Sequence, residues 1–348
     1  MTTENTVASP APSPAEPSGS AGSAPPPSGF SPITSLLRLR ELSVVIVVIA
    51  LCVYFSAVNS AFYNVDNRLN IANFTAATAI VAAGEVFLLV CGEIDLSAGM
   101  TFALAPFIMM WANDQGLPLI LALVVALVAC ALIGLGNGLI TQLLNLPSFI
   151  TTLGTLYLLH GITLKVSNNF PRPAPTGGKL VGIIGGGKWS EILWAIGICI
   201  VMQIVLTQTK WGVNTIATGA NPVAAAEAGI RTRQIKVRAF MITAVFAGLG
   251  GILDGIHISQ SFDPSAGGNE LMFAAVASCV IGGTALLGGS GTVIGAFFGA
   301  LLLGILQDGF NIQGISATTF IIIEGVAILL AMFINTQLTR FRRSAKTA

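Results

Sequence analysis

The polar stretch KWGVNTIATGANPVAAAEAGIRTRQIKVR, residues 210–238, decides how the rest of the chain is organised. It interrupts a sequence that is otherwise apolar enough to lie in lipid, and it carries five basic residues against one acid, Glu227. Asn221-Pro222 is a helix-start signal with proline just inside the start. Good helix formers follow, and Gly229 is a stop signal. The stretch predicts a short helix, which is either a docking element or an ordinary loop on the lipid headgroups.

The composition is that of a multi-pass membrane protein. Hydrophobic residues make up 54% of the 348 residues and charged residues 9%, whereas soluble domains carry about 25% charged residues. So little charge cannot cover a water-facing surface, and we therefore expect an all-α polytopic membrane protein. The net charge of +1 excludes a strongly basic nucleic-acid binder. The five cysteines lie singly in apolar runs, which indicates neither disulfides nor metal ligands.

Two terminal segments differ from the apolar part of the chain. Residues 1–32 contain eight prolines and no Lys or Arg, a composition that predicts a disordered tail. They lack the basic and apolar regions of a signal peptide. We expect a membrane domain over residues 38–338, with the polar stretch 210–238 as its cytoplasmic loop, and a basic cytoplasmic tail over residues 339–348.

About twenty apolar residues cross a bilayer as a helix, and the sequence predicts ten such segments. They cover residues 42–62, 69–91, 98–112, 117–144, 149–166, 192–207, 239–258, 271–287, 293–310 and 318–334. The third segment is short for a full span, so a tilted, broken or re-entrant path stays open there.

The basic residues orient these segments. Ten alternating spans place both termini and residues 208–238 on one side, and that side collects eleven of the sixteen Lys and Arg residues. Cytoplasmic loops are enriched in Lys and Arg, so we predict that this side is the cytoplasm. Four basic residues within 165–188 count against the arrangement and make the fifth and sixth segments its weakest part.

Few ionisable residues lie inside the predicted spans. A charge at the bilayer centre costs about 2.5–3.5 kcal/mol on insertion scales and usually faces a cavity or a partner. Glu85 has apolar neighbours and is either a residue of the transport pathway or a packing residue. Asp254 and His257 lie one helical turn apart and can pair on one face.

The sequence contains no catalytic motif. GxSxG, HExxH and the P-loop GxxxxGK[ST] are all missing. We therefore expect no catalytic residue, metal site or cofactor in this chain. If ATP powers transport, a partner chain binds the ATP and Mg²⁺.

Three motifs resemble those of the permease subunits of bacterial ribose-type sugar ABC importers. GEIDLSAG at 92–99 resembles the family's G-x-IDLS-x-G segment. GANPVAAAEAGI at 219–230 resembles its cytoplasmic G-x-N-x-x-A-A-x-x-x-G-I loop, and GGTALLGGSGTVIG at 282–295 resembles its GGTSLxGGxGxxxG run. The motifs follow in the family's order, and the likeness covers residues 40–335. It departs mildly at Ala98 and at 285–287, and Glu85 occupies a variable position of the family.

The resemblance implies a ten-helix permease with a fold like that of the vitamin B12 importer (type II), in the bacterial cytoplasmic membrane. The implied partners are a cytoplasmic ABC ATPase, an extracytoplasmic sugar-binding protein and a second permease copy or a paralogue. The implied solute is a sugar such as a monosaccharide. The implied ATPase-coupling residues are Asn221, Pro222, Val223, Ala224, Ala225, Ala226, Glu227, Ala228, Gly229 and Ile230. Val223, Ala224, Ala225 and Ile230 would be buried against the ATPase, and the basic residues within 231–238 would anchor on headgroups.

The glycine-rich motifs also provide candidates for the translocation pathway and for helix breaks. These residues are Glu85, Gly92, Asp95, Ser97, Gly99, Gly282, Gly283, Gly288 and Gly289. For 92–99 we predict a helix break at which Asp95 or Ser97 caps the following helix. A direct solute contact is the alternative. Small residues also permit close helix packing without any transport role.

Two other functions stay open. A permease of the same superfamily for nucleosides or branched amino acids would also carry the GGTALLGG run, although IDLS points to sugars. A secondary transporter or channel would need no ATPase.

Overall fold

The computed structural model describes residues 40–258, 260–316, 318–330 and 333. The predictions for the tails at 1–32 and 339–348 lie outside these residues. Apart from one short strand pair, the described elements are helices, which confirms the all-α class.

The described residues form twelve α-helices of six residues or more. They are α1 (Arg40–Val58), α2 (Val65–Val90), α3 (Ala98–Asp114), α4 (Leu119–Leu143), α5 (Ser148–Ser167), α6 (Ser190–Gln208), α7 (Lys210–Ala220), α8 (Pro222–Glu227), α9 (Thr232–His257), α10 (Gly268–Ile281), α11 (Val293–Ile312) and α12 (Thr318–Leu330). Short helical turns lie at Ser60–Tyr63 and at 179–186. Strands β1 (Arg172–Pro173) and β2 (Ser261–Phe262) pair antiparallel.

Within the described ranges, six helices are long and apolar enough to cross a membrane, namely α2, α4, α5, α6, α9 and α11. Shorter apolar helices lie within α1 and at α10 and α12. Large apolar side chains such as Leu132, Leu158 and Val201 are exposed on the outside of the bundle. Because such a surface suits hydrocarbon rather than water, the chain is a multi-pass membrane protein.

Helix α2 lies at the centre of the bundle. Its most apolar window is 89% buried, and it packs against α6, α9, α10 and α11. Gly84 lies so close to α9 that a Cβ there would be 2.6 Å from the Cα of Thr243. Small residues that let backbones approach closely are typical of helix packing in lipid.

The connections gather at two opposite ends of the bundle. The α8 end holds α7, α8 and the connections 91–97, 144–147 and 282–292, where the Gly289 N–H donates to the Val90 carbonyl at 2.8 Å. The hairpin end holds β1 and β2, and there Arg172 and Asp114 form an ion pair of 2.7 Å.

Helix α10 is shorter than the predicted segment 271–287, because it ends at Ile281. Gly283 has φ +91, and the Thr284 N–H donates back to the Cys279 carbonyl at 2.9 Å. Since glycine adopts positive φ at little cost, the glycine pair 282–283 turns the chain out of the helix. Conversely, α9 begins at Thr232 rather than at the predicted residue 239, because its polar first turns are helical as well.

Candidate functional site

Helix α8 is short, and its own sequence fixes both of its ends. The backbone of Asn221 is extended, and its Oδ1 accepts hydrogen bonds from the N–H groups of Val223 and Ala224, each at 3.1 Å. This is a regular side-chain N-cap, and Pro222 follows at the first helical position.

The carboxyl end of α8 is closed by Gly229, which has φ +83. Its N–H donates to the Ala226 carbonyl at 2.9 Å, and the Ile230 N–H donates to the Ala225 carbonyl at 3.0 Å. This pair of bonds around a left-handed glycine is the Schellman motif. The six residues of α8 therefore form a rigid unit between two caps.

One face of α8 is packed and the other is exposed. Val223 is 68% exposed, and Ala224, Ala226 and Glu227 are exposed as well. By contrast, Ala225 is 5% exposed. The prediction that Ala225 is buried against a partner is therefore wrong, because its side chain already lies inside this chain.

Ile230 resembles Ala225 in this respect. It is half-buried and packs against the main core of its own chain. The face of α8 that is free to meet a partner is thus built around Val223.

The end of α7 is held against the core by close backbone contact at Gly219. A Cβ at this position would lie 1.6 Å from the Val90 carbonyl oxygen and 2.7 Å from the Gly289 nitrogen. Only glycine fits there without movement of the backbone. The end of α2, the end of α7 and the connection 282–292 therefore meet at one junction, and α8 follows it directly.

An ion pair joins the start of α9 to the connection between α2 and α3. Lys236 Nζ lies 2.6 Å from Glu93 Oε1, and the two side chains are 18% and 10% exposed. Gln142 of α4 donates to the same carboxylate oxygen at 3.3 Å. Lys236 is thus held within the chain, which corrects its interpretation as a headgroup anchor. The arginines of the stretch are exposed, namely Arg231, Arg233 and Arg238.

A buried polar network occupies the connection between α2 and α3. Asp95 Oδ1 accepts from the Ser97 N–H at 2.9 Å and from Ser97 Oγ at 2.6 Å. Asn137 of α4 donates to Ser97 Oγ at 2.8 Å and accepts from Thr155 of α5 at 2.7 Å. Asp95 and Ser97 are fully buried, and Asn137 is 2% exposed. The network therefore locks the helix break to α4 and α5.

Asp95 and Ser97 play different roles at this break. The predicted side-chain cap of α3 is not formed, because the Asp95 carboxylate accepts from the Ser97 N–H ahead of the helix and the Ser97 side chain makes no capping bond. Sequence reasoning missed Asn137 and Thr155. A lone amide within the apolar run 119–143 was the signal that could have pointed to Asn137.

The glycines proposed for the pathway lie in turns or in close contacts. Positive φ angles occur at Gly92, Gly283, Gly288 and Gly289 (+75, +91, +85 and +81). Added Cβ atoms at Gly99 and Gly282 would lie 1.9 Å from the Gly268 carbonyl oxygen and 2.2 Å from the Gly295 carbonyl carbon. Backbone geometry therefore accounts for glycine at all six positions.

Glu85 is fully buried in α2, and its carboxylate interacts with the backbone N–H of Asp95 but forms no hydrogen bond of regular geometry within the described part of the chain. Burying such a group without a regular hydrogen bond is costly. Glu191, at the start of α6, is also fully buried and has no hydrogen-bond partner among the described residues. Sequence reasoning missed Glu191 because it lies one residue before the predicted span.

His257 does not form the predicted pair with Asp254. Its Nδ1 contacts the Gly185 carbonyl at 2.7 Å, and its Nε2 contacts Asn73 Oδ1 at 3.1 Å. The imidazole therefore joins the end of α9 to α2 and to the helical turn at 179–186. Among the residues with described coordinates, no cluster of His, Cys, Asp or Glu is placed to hold a metal ion.

The apolar helix bundle defines a multi-pass membrane protein, and the comparison with known families gives its class. The family model described as "Branched-chain amino acid transport system / permease component" matches residues 67–332. The chain belongs to this family.

Several curated relatives are similar over most of the chain. The xylose/arabinose import permease protein XylH of Sulfolobus acidocaldarius is 35% identical over 87% of this chain and 86% of its own length. The ribose import permease proteins RbsC of Haemophilus influenzae and Escherichia coli K12 are 33% and 32% identical, over 87% and 86% of this chain and 94% of their own lengths. No solved structure matches the chain.

Proposed function

We propose that this chain is the permease subunit of an ATP-binding-cassette importer that moves a sugar, such as a monosaccharide, across the bacterial cytoplasmic membrane. The observation that carries the proposal is the similarity of nearly the whole chain to permeases named for ribose and for xylose/arabinose. The IDLS and GGTALLGG motifs lie within the matched residues.

The energy for transport comes from a separate ATPase, which binds the ATP and Mg²⁺. Helix α8 is the docking element, because it is rigid, lies outside the spans and presents Val223 at 68% exposure. Closure of the ATPase moves α8 and, through the Gly219 junction, the ends of α2 and α10. The inward- and outward-open states are then stabilised differently.

We place the α8 end in the cytoplasm. Residues 210–238 lie at this end and carry five basic residues, and cytoplasmic segments are enriched in Lys and Arg. Four further apolar helices, α1, α3, α10 and α12, complete ten spans with the six named above. With an even number of spans, both termini lie in the cytoplasm.

The hairpin end faces the extracytoplasmic side and receives the sugar-binding protein. The ion pair of Arg172 and Asp114 is exposed there, with side chains 36% and 48% accessible. Rim charges of this kind tune encounter rate and specificity more than affinity. A second permease copy or a paralogue completes the pathway.

A permease for branched-chain amino acids is the second candidate, because the family description names that solute class. The relatives named for sugars are more direct support, since they are similar over 86–94% of their own lengths. A secondary transporter is a third alternative, of a different class.

Reconstitution into liposomes tests the function. The chain is combined with its cognate ATPase and binding protein, and uptake of labelled ribose, xylose, arabinose and leucine is measured with and without enclosed ATP. We expect sugar uptake that requires all three components and ATP. Uptake of leucine alone would overturn the sugar assignment. Uptake by the chain alone under an ion gradient would overturn the ATP-driven mechanism.

A further inference from the structure

A polar pocket lies beside the packed end of α8, with a volume of about 430 Å³. One wall is the connection from Ala228 to Ile230, which follows α8 directly. The other lining residues come from α7 and from the start of α9. The side chains that give the pocket its polarity are Asn214, Arg231, Gln234 and Arg238.

The pocket carries positive charge without a counter-charge. None of its lining residues is acidic, and neither Arg231 nor Arg238 forms an ion pair with any described residue. Lys236, which lies between them in sequence, is already neutralised by Glu93 at 2.6 Å. The amides of Asn214 and Gln234 add further hydrogen-bond donors. An anionic group is therefore the chemical complement of this pocket.

We propose that this arginine pocket receives the carboxylate of an aspartate or glutamate side chain of the ATPase that docks on α8. The inference rests on the proposed function. A guanidinium group binds a carboxylate through two parallel hydrogen bonds, which supply geometry as well as attraction. The acidic side chain enters between Arg231 and Arg238, while an apolar surface of the ATPase covers Val223.

The position of the pocket favours a protein over a lipid headgroup. Its wall contains Ala228 and Gly229, the residues that close α8, so a protein seated on α8 covers the pocket mouth. The contact between the carboxylate and the arginines then fixes the orientation of the ATPase relative to α8, a helix of only six residues. A charged contact beside a small apolar one supplies orientation, which Val223 by itself does not.

The test compares charge reversal inside and outside the pocket. The Arg231→Glu/Arg238→Glu double variant is compared with Arg233→Glu, which changes an exposed arginine of the same segment that does not line the pocket. Each full-length chain is held in nanodiscs of neutral phosphatidylcholine, and the affinity of the purified cognate ATPase is measured at several salt concentrations. Arg231→Gln/Arg238→Gln serves as a milder second variant.

We expect the double reversal to weaken ATPase binding about tenfold or more and to reduce its dependence on salt. The Arg231→Gln/Arg238→Gln variant should lose less affinity. Arg233→Glu should change the affinity only about twofold. An acid-to-arginine change in the ATPase that restores binding to the double reversal would identify the partner residue.

Equal affinities of the double reversal and Arg233→Glu would overturn the proposal. So would a loss of affinity that appears only when the nanodiscs contain phosphatidylglycerol, because the pocket would then hold a lipid headgroup. A wild-type chain that does not bind the ATPase at all would overturn the proposed function, and this inference with it.

Discussion

Asp95 shows how one buried side chain can hold three helices together. Its carboxylate receives the Ser97 N–H and hydroxyl, and Asn137 and Thr155 extend the network into α4 and α5. The motif at 92–99 was enough to predict the helix break, but not the polar contacts at it, since neither Asp95 nor Ser97 caps α3. It could not reveal Asn137, because that contact joins positions 40 residues apart and depends on how α4 packs.

Removing the Asp95 carboxylate is expected to destabilise the protein. In Asp95→Ala, the buried N–H and hydroxyl of Ser97 lose their acceptor, and each unsatisfied buried group costs about 1–3 kcal/mol. We expect a decrease of about 2 kcal/mol or more in the free energy of unfolding, seen as a lower midpoint of thermal unfolding in detergent. Asp95→Asn keeps one acceptor oxygen, so its free energy of unfolding should decrease less than that of Asp95→Ala.

Asp114→Ala is the matched control for Asp95→Ala. It removes a carboxylate that is 48% exposed and paired with Arg172, and exposed ion pairs contribute about 0–1 kcal/mol. If Asp95→Ala and Asp114→Ala lowered the unfolding midpoint equally, the network at the helix break would have no structural role.

At the scale of elements, the sequence predicted where helix α8 starts and stops. It did not predict which face of the helix is buried. The Asn221-Pro222 and Gly229 signals correspond to the observed caps of α8. The buried side of α8 could not be predicted from the sequence, because six residues are too few to show a periodic pattern of apolar side chains. Ala225 and Val223 are both apolar in sequence, yet one is buried and the other is exposed.

The junction at Gly219 gives a prediction for the element that carries α8. In Gly219→Ala, the added Cβ would lie 1.6 Å from the Val90 carbonyl oxygen, so the ends of α2 and α7 must move apart. We expect a lower midpoint of thermal unfolding together with reduced ATP-dependent uptake in liposomes.

Gly154→Ala is the control for this junction, because an added Cβ at that position of α5 meets nothing within 4 Å. Alanine also favours a helix interior over glycine by roughly 1 kcal/mol. We expect unchanged or slightly raised stability for the control. Two variants that behaved alike would show that the α2–α7 contact is unimportant.

At the scale of the molecule, composition and apolar periodicity sufficed for the all-α membrane class and for the approximate helix positions. Polar contacts between residues far apart in the sequence could not be predicted. The ion pair of Lys236 with Glu93 joins residues 143 positions apart, and nothing in the local sequence distinguishes Lys236 from the neighbouring arginines.

The proposed orientation predicts from which side a cysteine at position 226 is labelled. Ala226 is exposed, whereas Cys91, Cys130, Cys199 and Cys279 are buried, so a background with Cys52→Ala alone should react little. In Ala226→Cys, we expect reaction with an impermeant thiol reagent only from the cytoplasmic side of membrane vesicles.

Lys188→Cys, exposed at the hairpin end, should react only from the other side of the vesicles. A reversed pattern for the two cysteines would contradict the orientation.

The most direct test of docking on α8 is the affinity of the cognate ATPase for the Val223→Asp variant in nanodiscs. Val223 is 68% exposed on the free face of α8, and Phe170, 73% exposed at the hairpin end, provides the control Phe170→Asp. A charge in the centre of an apolar contact removes a binding hot spot, which corresponds to roughly tenfold or more in affinity. We predict that loss for Val223→Asp and wild-type affinity for Phe170→Asp. Equal ATPase binding by the two variants would contradict the claim that this chain receives its energy through α8.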